Sequence, residues 1–315
     1  MPRAALAAAA VLAALAAHAH AGPADPPTTG PPAAPAPAQL AALAPADDAR
    51  RAVVIGRSGE VYEPDGKGAW VHRLPSTTAR PIDAAGRAGA AIVAAGDGAI
   101  YRLAGNGWSA IRLVQRGRAI LGSGTRALAA AGRQLFALDQ LTRGEPTRLV
   151  QAPTAILAIA AGAAAVVVAT EAGLFRLAGS KLVAIRPAVG RARLISDRWA
   201  IVDRGALDLT TGRVTAWPPG LAIGVAAAAP GDALVAIAAS RAGLELVTVT
   251  GGRLARDPLG ITGTAVGVAL DRAGRAVVAL SDGRIALRDR AGWTTTTVAD
   301  APPAEHPGAA PALSN

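Results

Sequence analysis

The chain has 315 residues, 51% of them hydrophobic but only 3% aromatic, so a core must be filled mainly by Ala, Val, Leu and Ile. There is no cysteine, which excludes disulfides, thiolate metal sites and cysteine nucleophiles together. The formal net charge of +10 is almost all arginine, Lys67 and Lys181 being the only lysines. Because the arginines are dispersed and form no basic run, the charge reads as the composition that goes with abundant Ala, Gly and Pro, and nucleic acid is not an expected partner.

Arg3 precedes an apolar run from Ala4 to Ala17, followed by Ala17-His18-Ala19-His20-Ala21. A charged start, a short apolar run and an Ala-x-Ala site are the parts of a secretory signal peptide, with cleavage after Ala19 or Ala21. The run is shorter than the roughly 20 residues that a spanning helix needs. Residues 1–21 are therefore expected to be a signal peptide, which places the mature protein in the periplasm or outside the cell, without a membrane span. Residues 22–38 are rich in Pro, Ala and Thr and are expected to form a semi-rigid linker. Residues 300–315 share that character and are expected to be a disordered tail.

Between these ends one pattern recurs seven times: AVVIGRSGEVYEP, AAIVAAGDGAIYRL, TRALAAAGRQLFAL, VVVATEAGLFRL, RWAIVDRGALDL, ALVAIAASRAGLELV and AVVALSDGRIAL. Each copy is an apolar strand, a tight turn with glycine and an alternating strand, which is a hairpin signature. The turn glycines are Gly59, Gly98, Gly132, Gly173, Gly205, Gly243 and Gly283, about 37 residues apart on average. The cleanest full unit runs from Ala265 to Val298, where turns at Arg272-Ala273-Gly274, Asp282-Gly283 and Arg290-Ala291-Gly292 separate four short strands. A period near 40 with four antiparallel strands and no helix predicts an all-β, seven-bladed β-propeller over residues 39–299. Strands covered on both faces by neighbouring blades explain the continuous apolar runs.

Two such runs could pass for buried helices. The propeller register instead divides Ala155–Ala169 into two strands around Gly162, and Leu221–Ala239 is broken by Pro230-Gly231-Asp232. The third and fifth copies are the most irregular. Both ends of the repeat array fall in register, which predicts whole blades meeting at the closure without a shared blade.

VVVATEAGLFRL resembles the repeat of two-component-regulator sensor propellers. Trp70, Trp108 and Trp293 lie ten or eleven residues after their turn glycines, which resembles the Asp-box (BNR) repeat of sialidase-like and photosystem II assembly-factor propellers, Ser-x-Asp-x-Gly-x-Thr-Trp. Asp65 fits its aspartate position, with Lys67 where glycine belongs. Gly105 fits its glycine position, with Leu103 in place of aspartate. Arg288 and Arg290 stand at both positions before Trp293. The resemblance implies the propeller fold. A sialidase-like activity would further require a tyrosine nucleophile, an acid partner and an arginine cluster.

No residue is assigned a catalytic, cofactor-binding or metal-binding role. His72 is the one histidine of the repeat region and the single base available to a Ser-His-Asp arrangement. Tyr62 and Tyr101 share one repeat position, which favours packing. Asp97 and Asp282 each give a turn one carboxylate, fewer than a calcium loop needs; they are expected to shape hairpins. Trp70, Trp108 and Trp293 are each expected to clamp their own outer strand. Arg57, Arg272, Arg275 and Arg284 lie in turns, where some should line one face and mark a binding surface. The favoured reading is a monomeric, non-enzymatic propeller that binds a protein or polysaccharide partner, with no cofactor. The alternatives are a glycan-binding or glycan-active sialidase-like propeller and a basic propeller binding an anionic polymer.

Overall fold

Seven times along the chain a run of β-branched and small apolar residues reverses through a short turn, and in the computed structural model each run becomes the second strand of a separate sheet. The structure describes residues 37–44, 51–65, 69–74, 81–82, 84–88, 91–96, 99–104, 107–111, 119–121, 123–124, 128–138, 146–162, 165–185 and 192–298. The proposed signal peptide, most of the linker, the tail and the Asp97-Gly98 turn lie outside them.

The first blade comprises β1 (Leu40–Ala44), β2 (Val53–Gly56), β3 (Val61–Pro64) and β4 (Trp70–Leu74), and the second β5 (Ala84–Ala88), β6 (Ala91–Gly96), β7 (Ala99–Ala104) and β8 (Gly107–Ile111). The third blade combines β9 (Ala119–Leu121) with β11 (Leu128–Ala131), β12 (Gln134–Ala137) and β13 (Thr147–Gln151). Between them β10 (Ser123–Gly124) leaves for the next sheet. The fourth blade is β14 (Ile156–Ala161), β15 (Val166–Thr170), β16 (Gly173–Ala178) and β17 (Lys181–Ala184), and the fifth β18 (Arg193–Leu194), β19 (Trp199–Val202), β20 (Gly205–Asp208) and β21 (Val214–Ala216). The sixth is β22 (Ala222–Ala229), β23 (Ala233–Ser240), β24 (Gly243–Thr250) and β25 (Arg253–Pro258). The seventh is β26 (Ala265–Leu270), β27 (Ala276–Leu280), β28 (Arg284–Asp289) and β29 (Gly292–Thr297). The protein is a seven-bladed β-propeller, and both ambiguous apolar runs are pairs of strands.

Burial follows strand order. The second strands β2, β11, β15 and β27 are buried at every position, while the outer strands β13, β17 and β29 have only half-buried and exposed positions. The buried side chains form clusters that each join two successive blades, such as Ile55, Val61, Ile92 and Tyr101 between the first and second. Burial of apolar area stabilises these junctions at roughly 25 cal/mol per Å². Alanine and valine at most inner positions let the sheets approach closely, which is how a core with few aromatics is filled.

Chain direction sorts the turns. Turns from second to third strands share one end of every blade with the connections to the next blade, and all other turns share the opposite end. Backbone hydrogen bonds stitch the first end: Ile82 N donates to Arg57 O at 2.8 Å, Ile156 N to Gly132 O at 2.8 Å and Ser281 N to Thr264 O at 2.9 Å. At the closure Ala38 N donates to Val298 O at 2.9 Å, so the blades at the two ends of the array meet intact, as the register predicts. Ala38 is buried in that seam, so the folded body takes in residues assigned to the linker.

The turn glycines serve different purposes. Gly173 has φ +127°, which an L side chain rarely adopts. Gly205 lacks a positive φ; a Cβ there would lie 2.2 Å from the carbonyl oxygen of Thr215. Close approach of the neighbouring strand, and not turn geometry, requires that glycine.

A candidate binding cleft over blades four to six

The inner strands of blades four and six, β14 and β22, have six and eight residues, whereas β18 of blade five has two. β18 pairs with β19 only at Arg193↔Ile201 and Leu194↔Ala200. Beside it, at the blade-joining end of blades four to six, the described residues line a cleft of about 1040 Å³. Ala158, Ile201, Val202, Leu221 and Ile223 give it apolar walls.

Leu157 contributes the largest exposed apolar surface in the cleft. The ladder pairs Ile156 with Thr170 and Ala158 with Ala169, which leaves Leu157 as the extra residue of a β-bulge. The bulge turns its side chain out of the core, where it is 55% exposed. The inner strands β1, β22 and β26 have bulges near the same point, so this irregularity belongs to the architecture. Only blade four places a leucine there.

Polar groups rim the apolar walls. Thr170 Oγ1 accepts from Ala172 N at 3.1 Å and donates to Gly173 O at 3.2 Å, which holds the turn so that Glu171 projects into solvent. Asp203, also exposed, occupies the equivalent turn of blade five. Neither carboxylate has a hydrogen-bond or ion-pair partner among the described residues. Arg193 reaches across to donate from Nη1 to the Gly224 carbonyl, joining blades five and six, and burial pushes its pKa below the ordinary arginine value. Trp217 follows β21 and is pinned by its backbone amide to Arg204 O at 3.1 Å. Among the described residues its buried indole N–H has no partner, the kind of unsatisfied donor that folded proteins rarely leave.

The residues singled out from sequence fall elsewhere. Tyr62 and Tyr101 are 1% and 6% exposed, packed in two different inter-blade clusters, as the packing expectation requires. His72 is exposed on β4 with its ring 5.5 Å from that of Tyr62. The carboxylate of Asp282 accepts from the backbone N and from Nε of Arg284, at 3.2 and 2.9 Å, and so shapes its turn. Arg57 and Arg284 lie at the cleft end of their blades, whereas Arg272 and Arg275 sit at the first turn of blade seven, at the opposite end. Arg275 is also tied to Asp271 at 2.7 Å. The four arginines therefore form no single surface.

The tryptophans differ from expectation in one respect. Trp108 Nε1 donates to Gly59 O at 2.8 Å, and Trp293 Nε1 to Asp257 Oδ2 at 3.2 Å. Each clamps the preceding blade, because the twist of a blade turns its outer strand toward its neighbour. Trp70 at the closure seam has a buried indole N–H with no partner among the described residues. Sequence reasoning passed over Leu157, Trp217, Glu171 and Asp203. The one local signal was Trp217-Pro218-Pro219-Gly220, an aromatic held beside a rigid turn at the end of the fifth unit.

Solved structures share this architecture at low identity. Streptogramin B lyase is similar with TM-score 0.60 and 12% identity over 82% of this chain and 94% of its own. YCF48 from Cyanidioschyzon merolae gives 0.55 and 15% over 80% and 95%. The extracellular domain of the two-component system BT4673 from B. thetaiotaomicron gives 0.56 and 14% over 80% of this chain and 38% of that one. These likenesses establish the fold. No protein-family model matches the chain, and no curated protein does. Among the described residues no helix is long and apolar enough to cross a membrane.

Proposed function

We propose that the protein is a secreted or periplasmic, non-enzymatic propeller that binds a protein or polymer partner at the cleft over blades four to six. The observation that carries this reading is Leu157: a large aliphatic side chain that a bulge presents to solvent in an apolar cleft, on a rigid ring. Exposed apolar surface rimmed by polar groups is characteristic of interaction sites. The location reading is supported by the sequence of residues 1–21 and by the fold shared with an extracellular domain. The non-enzymatic reading draws support from the burial of Tyr62 and Tyr101, which withholds them as nucleophiles.

Both parts have direct tests. Fractionation and N-terminal sequencing of the full chain should find it outside the cytoplasm, beginning at His20 or Gly22; a cytoplasmic, uncleaved protein would overturn the location. A photo-cross-linking residue at Leu157 should trap a partner that the same residue at Val183, equally exposed on the outer strand β17, does not. Equal trapping at both positions, or none at either, would sink the binding site.

A further inference from the structure

We infer that the cleft selects a peptide segment of its partner in which a basic side chain is flanked by apolar ones. The inference rests on the binding reading above and adds the chemistry of the occupant. Three observations converge on it. The cleft, about 1040 Å³, lies open along the ring face, whereas small-molecule sites bury most of their ligand. An open cleft suits a segment of chain better than a small molecule.

Its walls are apolar, with Leu157 already out in water, so apolar flanking residues bury surface on both sides of the contact. The rim carries the charge signal. Glu171 and Asp203 come from equivalent turns of adjacent blades, both are exposed, and neither is engaged among the described residues. Asp208, Glu245, Asp271 and Asp282 are each paired with an arginine, whereas Glu171 and Asp203 have no cation partner among the described residues. Among the described residues lining the cleft Arg193 is the one cation; its guanidinium donates to the Gly224 carbonyl on the blade-six side and keeps its charge. A lysine or arginine of the occupant would be drawn to the rim that carries Glu171 and Asp203.

The test uses the full-length protein and a phage-displayed random dodecapeptide library. Enriched sequences should place an arginine or lysine between apolar residues. With a synthetic copy of the best peptide, replacing its basic residue by neutral citrulline should weaken binding about two- to fivefold per carboxylate contacted, the range of exposed ion pairs. Glu171→Gln and Asp203→Asn together should abolish the preference for arginine over citrulline while leaving the melting temperature unchanged, since both side chains are exposed. An acidic or neutral consensus, no enrichment, or an arginine preference that survives in the double variant would overturn the inference. Cross-linking at Leu157 that persists beside any of those outcomes would leave the binding reading standing and remove only the basic-peptide selectivity.

Discussion

The amide of Ala38 donates to the carbonyl of Val298 at 2.9 Å, and this one hydrogen bond stands where a peptide connection joins every other pair of blades. Around it Leu40, Leu43 and Val54 of blade one pack on Val277, Ala279 and Ile285 of blade seven. The ring is thus closed by packing and backbone pairing between complete blades, with no strand exchanged.

The seam predicts a contrast between two turn glycines. Gly173 has φ +127° with open space around its Cβ position, so Gly173→Val should cost only the conformational term, about 1–2 kcal/mol. Gly283 has φ +88°, and its Cβ would lie 2.7 Å from Ala38 O. Gly283→Val should therefore lower stability measurably further in urea denaturation. Equal losses would show that Ala38 does not pack on this turn.

Truncation tests the same seam from the other side. A chain that starts at residue 37 retains Ala38 and should unfold at nearly the midpoint of the full chain. One that starts at residue 39 loses a buried residue and its hydrogen bond, for roughly 1–2 kcal/mol.

Tryptophan replacements should separate a satisfied indole from an orphaned one. Trp108→Phe removes a donor from Gly59 O, whereas Trp70→Phe removes a buried N–H that has no acceptor among the described residues. Calorimetry should find Trp108→Phe the more costly by about 1 kcal/mol. The reverse order would mean that Trp70 has an acceptor after all.

Glu245 should govern part of the acid limb of the stability profile. Hydrogen bonds from Arg256, at 2.6 and 2.8 Å, and from Ser240 hold its carboxyl below the ordinary glutamate range against the opposing effect of burial. A carboxylate depressed in the folded state stabilises above its unfolded pKa, near 4.3, and that contribution fades as pH falls through the folded value. Urea midpoints measured from pH 7 down to pH 3 should drop more steeply for the native chain than for Glu245→Gln. Parallel profiles would refute the pairing.

Strands, turns and blade number were legible in the sequence because each rests on local chemistry. Val166–Thr170 reads as a covered strand from its β-branched run, Gly173 marks its turn, and the return of that unit counts the blades. The burial of Tyr62 and Tyr101 followed from their shared repeat position. The cleft was not legible. Leu157 sits inside an apolar run that reads as core throughout, and only a mismatch with β15 turns it outward. Glu171 and Asp203 are ordinary turn residues of different repeats until adjacent blades bring them to one rim. Arg57 and Arg272 read alike as turn arginines, yet strand direction sends them to opposite ends. Period-2 patterning and turn residues determine what each blade is. What lies between blades depends on bulges, strand lengths and contacts between residues about one repeat apart, and only the packed ring decides those.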